Sequence, residues 1–383
     1  MVEVSVIIPA FNAEKTLGRC LDSVLSQALE LEVIVIDDCS TDGTVALCKR
    51  YVDRDERVRL LRNSQNIGQG LSRNRGIEVA FGTFLAFVDA DDYLAPHMYE
   101  DLLSLMRAGN LHIDVAGCAL LYPAPNALRG GVPRLEGIRY YDRAQIHDEV
   151  LPALMGNPPE TAAKPRAFPI SSCTYLFRTS LVRQHGIAFL SERLVYSEDL
   201  FFDYDVMRHA AGFAFTVSPY YCYTVNAGST VHRYHDPTTK IERLYALAGT
   251  DEKLLQRASL TTVNALIETA MQLCMDVAFP WAEKHARLAA LFDNPLVKRS
   301  LATYPLRMFT IRKRIFFACC TPCRATIALM MAFVQTCTLS KVKRTTARLY
   351  NKFIRSRSQR ASHGLQRRPH SAQVQETNTE VRP

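Results

Sequence analysis

The stretch TFLAFVDADDYL, residues 83–94, decides how this sequence folds. It opens with a short run of mostly apolar residues, which is typical of a strand buried on both faces, and it ends in three carboxylates within four positions. Asp89, Asp91 and Asp92 repel one another, so a cation, a hydrogen-bond donor or protonation must relieve them. The stretch therefore predicts a buried strand that brings negative charge to one edge of a sheet.

Three earlier apolar runs have the same character, and amphipathic helical patterns separate them. The runs are VSVIIP (4–9), LEVIVI (31–36) and VRLL (58–61). Strand and helix alternating at this spacing predict an α/β fold with a mostly parallel sheet of right-handed βαβ units.

A polar turn follows each of the four predicted strands. The turns are PAFN (9–12), DDCSTDGT (37–44), NIGQG (66–70) and DADD (89–92). Because the carboxyl ends of parallel strands share one edge, and open α/β sheets bind ligands there, the four turns together predict a binding site.

The sequence lacks the motifs of two common classes of nucleotide-binding protein. The turn after the first strand has no glycine-rich fingerprint, and G-x-x-x-x-G-K-[ST] occurs nowhere, which argues against a nicotinamide enzyme and a P-loop ATPase. The aspartates suit a hard divalent cation, and on an extended segment Asp89 and Asp91 point the same way. The alternative is that Asp91 or Asp92 caps a helix near 96–107.

Beyond residue 95 the pattern is less regular and contains loops at 122–133 and 156–169. A second ordered block follows, with an apolar stretch at 172–178, helices at 179–185 and 195–210, and a mostly helical region at 240–292. These patterns predict three parts. They are an α/β domain with the ligand-binding edge at 1–235, a helical C-terminal region at 236–340, and a basic amphipathic segment with a disordered tail at 341–383.

Charge and cysteine usage bear on partners and compartment. The 383 residues carry a net charge of +8, and residues 341–383 hold eleven Lys or Arg against two Glu. Such asymmetry favours an anionic partner, with a solvated tail as the alternative. Eleven Cys at irregular spacings fit reduced thiols, and the opening MVEVSVIIPAFN does not resemble a secretory signal. We expect a cytoplasmic protein.

The C-terminal part predicts peripheral contact with an anionic membrane at the inner face of the cell membrane. The apolar stretch 315–339 is split by Pro322 and Arg324, so it is not expected to span a membrane. It is either an interfacial or re-entrant segment or a buried helix pair. Residues 341–360 place apolar side chains among basic ones, as an interfacial helix does. A nucleic-acid partner is not expected, because the segment has no interleaved aromatic residues of that kind.

Four segments, taken in order, resemble the family 2 inverting glycosyltransferases of the GT-A fold, of the bacterial single-addition type. They are VSVIIPAFNAEKTLGRCLDSVLSQ, IDDCSTDGT, NIGQGLSRNRGIEVAFGTFLAFVDADD and SEDLFF. The resemblance covers roughly residues 3–232. It implies a Rossmann-like sheet flanked by helices, a nucleotide-sugar donor, usually a UDP-sugar, and a divalent cation, Mn²⁺ or Mg²⁺.

The resemblance also implies roles for individual residues in the donor site. The positions that match are Pro9, Phe11, Asn12, Asp38, Asn66, Gly68, Arg73 and Asp89. Among them Asp38 would accept a hydrogen bond from uracil, Arg73 would lie close to the base pocket, and Asp89 with Asp91 would form the D-x-D motif at the metal-bound diphosphate. Asp92 would hold these two aspartates in position without contacting the ligand itself. One departure is Cys39, where the family usually carries Gly.

The matching catalytic base is Asp199, with Glu198 beside it to orient the acceptor. An inverting transfer needs a base that takes a proton from the acceptor hydroxyl. The structural alternative makes Ser197 a helix N-cap with acidic residues in the first turn. Further on, Ser229 and Thr230 match positions near donor or acceptor, and His232 is either a metal ligand or structural. The Q-x-x-R-W motif of processive members is absent, which predicts addition of one sugar per encounter.

The sequence thus predicts a metal-dependent transferase acting on a glycan or lipid-linked acceptor in cell-surface polysaccharide synthesis. A non-catalytic nucleotide-sugar-binding membrane adaptor is the first rival. A phosphohydrolase that uses its D-x-D as nucleophile is the second, although that motif normally ends the first strand of its domain and here it ends the fourth.

Overall fold

The structure is a computed structural model, and it describes residues 2–108, 111–121, 135–157, 167–224 and 234–303. The strands are β1 (Val4–Ala10), β2 (Leu31–Asp37), β3 (Val58–Arg62), β4 (Phe84–Phe87), β5 (Tyr93–Leu94), β6 (Val115–Leu121), β7 (Arg139–Asp142), β8 (Tyr175–Arg178) and β9 (Gly212–Cys222). Within these ranges they form one sheet in the order β3-β2-β1-β4-β8-β6-β9-β5, with β7 paired to β9.

The first four strands are parallel, as predicted. Strand β1 lies between β2 and β4, and Val4 pairs with Leu31 on one side and Phe84 on the other. Every residue of β1 and β2 is buried, because helices cover both faces of this half of the sheet. The sheet then changes direction at β8, which runs antiparallel to both β4 and β6.

Twelve α-helices lie within the described ranges. They are α1 (Leu17–Leu25), α2 (Thr44–Arg54), α3 (Gln69–Val79), α4 (Met98–Arg107), α5 (Arg143–Gln145), α6 (Leu151–Met155), α7 (Thr179–Gln184), α8 (Glu198–His209), α9 (Thr238–Ala248), α10 (Glu252–Met275), α11 (Trp281–Asp293) and α12 (Pro295–Thr303). Helix α1 buries Leu17, Leu21 and Val24, the stripe that its period of 3.6 residues predicts.

Two predicted elements have different bounds from those expected. The helix predicted at 195–210 begins only at Glu198, so Val195 to Ser197 belong to the preceding loop. The apolar stretch predicted at 172–178 contains a short 3₁₀ helix, Ser172–Thr174, before β8 begins. That break places the Ser172 side chain beside α8 instead of in the sheet.

The C-terminal helices form a layer of their own in the same compact unit as the sheet, Met1–Gln335. Helix α10 packs against α9, α12 and α6, and Asp251 caps its first turn by accepting a hydrogen bond from the Leu254 amide at 3.0 Å. In the part of the chain that the structure describes, no helix combines the length and apolar character needed to cross a bilayer. The predicted domain boundaries at 235 and 340 stay predictions.

Candidate active site

The polar turns that follow β1, β2 and β3 meet at one edge of the sheet, as predicted. Asn12 accepts a hydrogen bond from the Thr41 amide at 2.9 Å, and its own amide donates to the Ser40 hydroxyl at 3.0 Å. Further along the edge, the Asn66 side chain donates to the carbonyl oxygen of Asp38 at 3.1 Å. These contacts join segments about 28 residues apart in the chain.

Asp38 organises the turn that opens α3. Its buried carboxylate accepts hydrogen bonds from the amides of Ile67 and Gly68, both at 2.8 Å, and from the Asn63 side chain at 2.6 Å. A carboxylate has about four lone-pair sites, so three donors leave room for one more. The uracil contact that the resemblance implies for Asp38 therefore stays a prediction.

Two residues at this edge have backbone geometry that normally favours glycine. Asn12 has φ +49° and Cys39 has φ +66°, both in the left-handed region. Cys39, where the family usually carries Gly, thus holds a left-handed backbone at a cost in local strain. Beside them Phe11 is half exposed, while Pro9 is buried in β1, so the aromatic face of Phe11 is available to a planar ring.

The aspartate-rich segment is a turn, which corrects the extended conformation assumed from the sequence. The Asp92 amide donates to the Asp89 carbonyl at 3.0 Å, and the alternation that would align Asp89 with Asp91 does not apply. Asp89 is 30 % exposed and Asp91 is half-buried, whereas Asp92 is buried. The turn therefore separates two outer carboxylates from one inner carboxylate.

Asp92 connects this turn to β9 and to the residues that follow β9. Its carboxylate accepts from the Tyr221 hydroxyl at 2.8 Å and from the Thr224 amide at 2.6 Å. Burial, with Asp89 nearby, raises the pKa of Asp92 to about 8. Helix α4 begins after His97 without a side-chain cap, so the alternative that Asp91 or Asp92 caps this helix is wrong.

A fully buried arginine lies at the centre of the site. Arg73 donates to Asp89 at 2.7 Å, to Glu198 at 3.0 Å and to Asp199 at 3.1 Å, and its guanidinium lies 5.1 Å from the ring centre of Phe189. The structure encloses Arg73 among carboxylates, and the position beside a base pocket that the resemblance implies stays a prediction. One cation thereby connects the D-x-D turn to the first turn of α8.

Asp199 lies in an environment that favours the neutral form of its carboxyl group. Burial raises the pKa of Asp199 to about 7, with Glu198 and Asp89 adding to the rise, although Arg73 and a hydrogen bond from Ser172 oppose it. A carboxylate with a pKa near neutrality can both accept and release a proton at neutral pH. Asp199 therefore has the acid–base character that a general base requires.

Glu198 is held more tightly than its neighbour. One of its oxygens accepts from the Gln69 side chain at 2.7 Å as well as from Arg73, and the side chain is 5 % exposed. Ser197 occupies the N-cap position of α8, but its side chain makes no capping bond and accepts from Lys240 at 2.9 Å instead. The acidic first turn is thus part of the cluster around Arg73 as well as a complement to the helix dipole.

The loop at 190–196 contributes residues that the sequence analysis missed. Glu192 accepts a hydrogen bond from the Gly70 amide at 3.2 Å, and Arg193 donates to the Asn66 carbonyl at 2.8 Å and to the Asn66 side chain. Gly68, at φ +94°, faces Glu192 so closely that a Cβ would come 1.9 Å from its carboxylate. The only sequence signal for this loop is its place directly before SEDLFF.

The donor set around the turn fits a metal held jointly with a ligand. In the described residues no group of three or more His, Cys, Asp or Glu comes together to hold an ion by itself. Asp89 and Asp91 supply two carboxylates on one turn, and Mg²⁺ commonly takes one or two carboxylates together with substrate phosphates.

Ser229, Thr230 and His232, the stretch 315–339 and the segment 341–360 lie outside the described residues.

Comparison with known proteins shows what the N-terminal part of the chain is similar to. Residues 5–133 match the family described as glycosyl transferase family 2. Over 117 residues, 30% of this chain, it is 45% identical to the uncharacterized glycosyltransferase YibD of Escherichia coli K12 and covers 33% of that protein. Over 235 residues, 61% of the chain, it is 27% identical to the uncharacterized glycosyltransferase EpsJ of Bacillus subtilis and covers 64% of it.

A third relative has a known structure. The chain is 31% identical over 206 residues, 53% of its length, to the poly(ribitol-phosphate) β-N-acetylglucosaminyltransferase TarS of Staphylococcus aureus, and covers 32% of that protein. The matches thus span less than two thirds of each relative's length.

The fold agrees with these matches. The crystal structure of TarS 1–349 in complex with UDP-GlcNAc superposes with a TM-score of 0.52 at 20% identity, over 88% of this chain and 92% of the other. That likeness establishes a shared architecture, a central sheet flanked by helices with a helical C-terminal region. Residues 5–133 therefore match the glycosyl transferase family 2 domain, and the described residues share the architecture of TarS 1–349, as expected for a GT-A fold.

Proposed function

We propose that this protein is an inverting glycosyltransferase that moves a single sugar from a UDP-sugar to a glycan or lipid-linked acceptor in cell-surface polysaccharide synthesis. In this proposal Asp199 is the base that takes the proton from the acceptor hydroxyl. Glu198, held by Gln69 and Arg73, keeps the first turn of α8 in place beside the acceptor.

The observation that carries the proposal is the bridge made by Arg73. A transferase must hold the leaving diphosphate and the acceptor base in fixed relation, because misplacement of either by about 1 Å can cost about 10²-fold in rate. Arg73 contacts Asp89 of the D-x-D turn and Asp199 of α8 from one rigid guanidinium. A storage or adaptor protein would have no need to couple these two groups.

Asp89 and Asp91 would hold a divalent cation, Mn²⁺ or Mg²⁺, together with the donor diphosphate. When bound, the ion neutralises charge that grows on the leaving diphosphate. The remaining donor contacts would come from Pro9, Phe11, Asn12, Asp38, Asn66 and Gly68. The half-exposed ring of Phe11 and the turn built on Asp38 would enclose the nucleoside.

The relatives support the donor and acceptor classes. TarS is named for transfer of N-acetylglucosamine to poly(ribitol-phosphate), and its structure has been solved with UDP-GlcNAc. The basic segment at 341–383 supports a peripheral position at an anionic membrane, where each Lys or Arg contributes about 1 kcal/mol.

The first experiment measures thermal unfolding with UDP, GDP, CMP or dTDP, each with and without Mn²⁺ or Mg²⁺. A ligand at 100 times its dissociation constant stabilises the folded state by about 2.7 kcal/mol, which is a measurable rise in melting temperature. We expect UDP with metal to give the largest rise, and Asp91→Asn to abolish the part that depends on metal. Asp236→Asn, an exposed substitution outside the site, is the control.

The second experiment separates the enzyme from the adaptor. Purified protein is incubated with UDP-GlcNAc and Mn²⁺, and release of UDP is followed over time with wild type and Asp199→Asn. Release by wild type alone, with the UDP-induced melting shift retained in the variant, supports the enzyme. Binding of UDP without turnover by wild type, across several UDP-sugars and acceptors, would favour the adaptor.

A further inference from the structure

A serine hydroxyl lies between Asp199 and a second, deeper carboxyl group. Asp203 follows Asp199 by four residues on α8, so both side chains lie on the same face of the helix. The Ser172 hydroxyl oxygen is 2.7 Å from Oδ1 of Asp203 and 3.5 Å from Oδ1 of Asp199. Ser172 and Asp203 are both fully buried, which makes this a closed chain of three groups.

The surroundings of Asp203 contain too little positive charge to keep it ionised. Among the residues that the structure describes, the charged and titratable groups that act on it are Asp199 and Glu198 on its own helix, Arg73 on α3 and Tyr175 on β8. Arg73 already serves Asp89, Glu198 and Asp199. A buried ionised carboxyl without a cation of its own is strongly disfavoured, and it takes up a proton instead.

The second oxygen of Asp203 supports the same conclusion. Oδ2 is buried and has no hydrogen-bond partner within the described residues. An ionised oxygen in that position would lose its solvation without compensation. Burial and the nearby Asp199 together raise the pKa of Asp203 well above its usual range.

We propose that Asp203 is a positioning residue for Asp199: as a neutral carboxylic acid it donates a hydrogen bond to Ser172, whose own hydrogen then points to Asp199. The inference rests on the proposed function, in which Asp199 is the acceptor base. A hydroxyl carries only one proton. If Asp203 were ionised, Ser172 would donate to this nearer oxygen and leave Asp199 without the bond.

The chain has two effects on the base. It fixes the orientation of Asp199 Oδ1 from the buried side of the carboxyl group, and it favours the ionised form that can accept a proton, because a donated hydrogen bond stabilises a carboxylate. Ionised Asp203 would do the reverse, since it would add negative charge and withdraw the donor.

The neutrality of Asp203 can be tested without any activity. A carboxyl whose folded-state pKa is raised stabilises the fold fully below its unfolded pKa, near 3.8, and that stability is lost as pH rises toward the folded value. Asp203→Asn and Asp203→Leu lack this loss. Urea unfolding at pH 5, 6, 7 and 8 should show the ratio of variant to wild-type folding constants rising by up to about tenfold per pH unit.

The trend with pH is the readout, so a uniform loss of stability in either variant leaves the test intact. Asp114→Asn is the matched control, since Asp114 is buried but paired with Arg178 at 2.9 Å. No rising ratio is expected for this control, because its buried charge has a cation of its own. A flat or falling ratio for both Asp203 variants would overturn the proposal.

The positioning role is tested by the pH profile of UDP release from UDP-GlcNAc with Mn²⁺. We expect Ser172→Ala to move the acidic limb to higher pH, because Asp199 loses a donor to its ionised form. Asp203→Leu should move it in the same direction by a smaller amount, because Ser172 keeps its proton but loses the partner that fixes its orientation. Asp203→Asn should leave the limb in place, since its amide can donate to Ser172 as the acid does. An equal loss of rate at every pH in all three variants would indicate a merely structural role.

The activity experiment and the stability experiment test separate claims, so each can fail without the other. No UDP release by wild type would overturn the proposed function and with it the positioning role. A pH-independent stability ratio would overturn the neutral state of Asp203 even in a protein that releases UDP.

Discussion

Arg73 and Asp199 are 126 residues apart in the chain, and in the structure Nη1 of Arg73 lies 3.1 Å from Oδ1 of Asp199. The same guanidinium reaches Asp89, so donor-side and acceptor-side carboxylates share one buried cation. Because three carboxylates share this one cation, the first prediction concerns Arg73.

Arg73→Met should destabilise the protein strongly. Removing one partner of a buried ion pair costs about 3–5 kcal/mol, because the carboxylates that remain lose their counter-ion. Arg73→Lys should recover part of this loss, since an ammonium cannot make the same three contacts at once. Urea unfolding at pH 7 measures both, with Arg50→Met on the exposed face of α2 as control. A change under 1 kcal/mol in Arg73→Met would contradict the bridge.

Asp199→Asn should abolish transfer while the donor still binds. Loss of a general base lowers the rate by about 10²- to 10⁴-fold. Release of UDP from UDP-GlcNAc measures the rate, and the melting shift with UDP measures binding. Asp205→Asn, further along α8, should keep the wild-type rate. Equal rates in Asp199→Asn and wild type would assign the base elsewhere.

The rate should rise with pH through a midpoint near 7. Asp199 must be ionised to accept a proton, and burial raises its pKa to about 7, so most of the enzyme is inactive at pH 5. The measurement is kcat/KM for UDP-GlcNAc from pH 5 to pH 9. A profile already flat at pH 5 would mean that Asp199 has an ordinary pKa or is not the base.

Gly68→Ala should lower the free energy of unfolding by more than its left-handed backbone alone explains. At φ +94° and ψ +164° only glycine is comfortable, and the added Cβ would also collide with Glu192. Gly186→Ala is the matched control, because Gly186 has φ +60° with open space around it.

We expect a loss of at least about 3 kcal/mol for Gly68→Ala against about 1–2 kcal/mol for Gly186→Ala. The double variant Gly68→Ala with Glu192→Ala should recover the difference. If adding Glu192→Ala did not reduce the stability loss of Gly68→Ala, a clash between the new Cβ and the loop at 190–196 would not be its cause.

Cys39→Gly should stabilise the protein by up to about 1 kcal/mol. The substitution removes a Cβ held at φ +66°, although glycine loses more backbone entropy on folding. Cys39→Ala retains the strain and should stay within about 0.5 kcal/mol of wild type. Chemical denaturation under reducing conditions compares the three proteins, and a destabilised Cys39→Gly would mean that the thiol makes a contact worth more than the strain.

Part of this site could be predicted from local pattern because burial leaves a periodic trace in the sequence. The apolar runs around VSVIIP and TFLAFV correspond to β1 and β4, and the turns after the first four strands lie at one edge because parallel strands must end together. The bounds of α8 were missed by three residues, since Val195 is apolar and buried without being helical.

Local patterns in the sequence were enough to predict the α/β class, the parallel half of the sheet and the gathering of acidic residues at its edge. The contacts that each of those residues makes depend on how distant segments pack together. Arg73 looks like an ordinary helical residue until α8 brings Glu198 and Asp199 against it, and Ser172 gains its two carboxyl partners only when the 3₁₀ helix packs beside α8. Apolar periodicity arises from neighbours along the chain, whereas the partners of a buried polar group come from distant segments, and strand register and helix packing choose them.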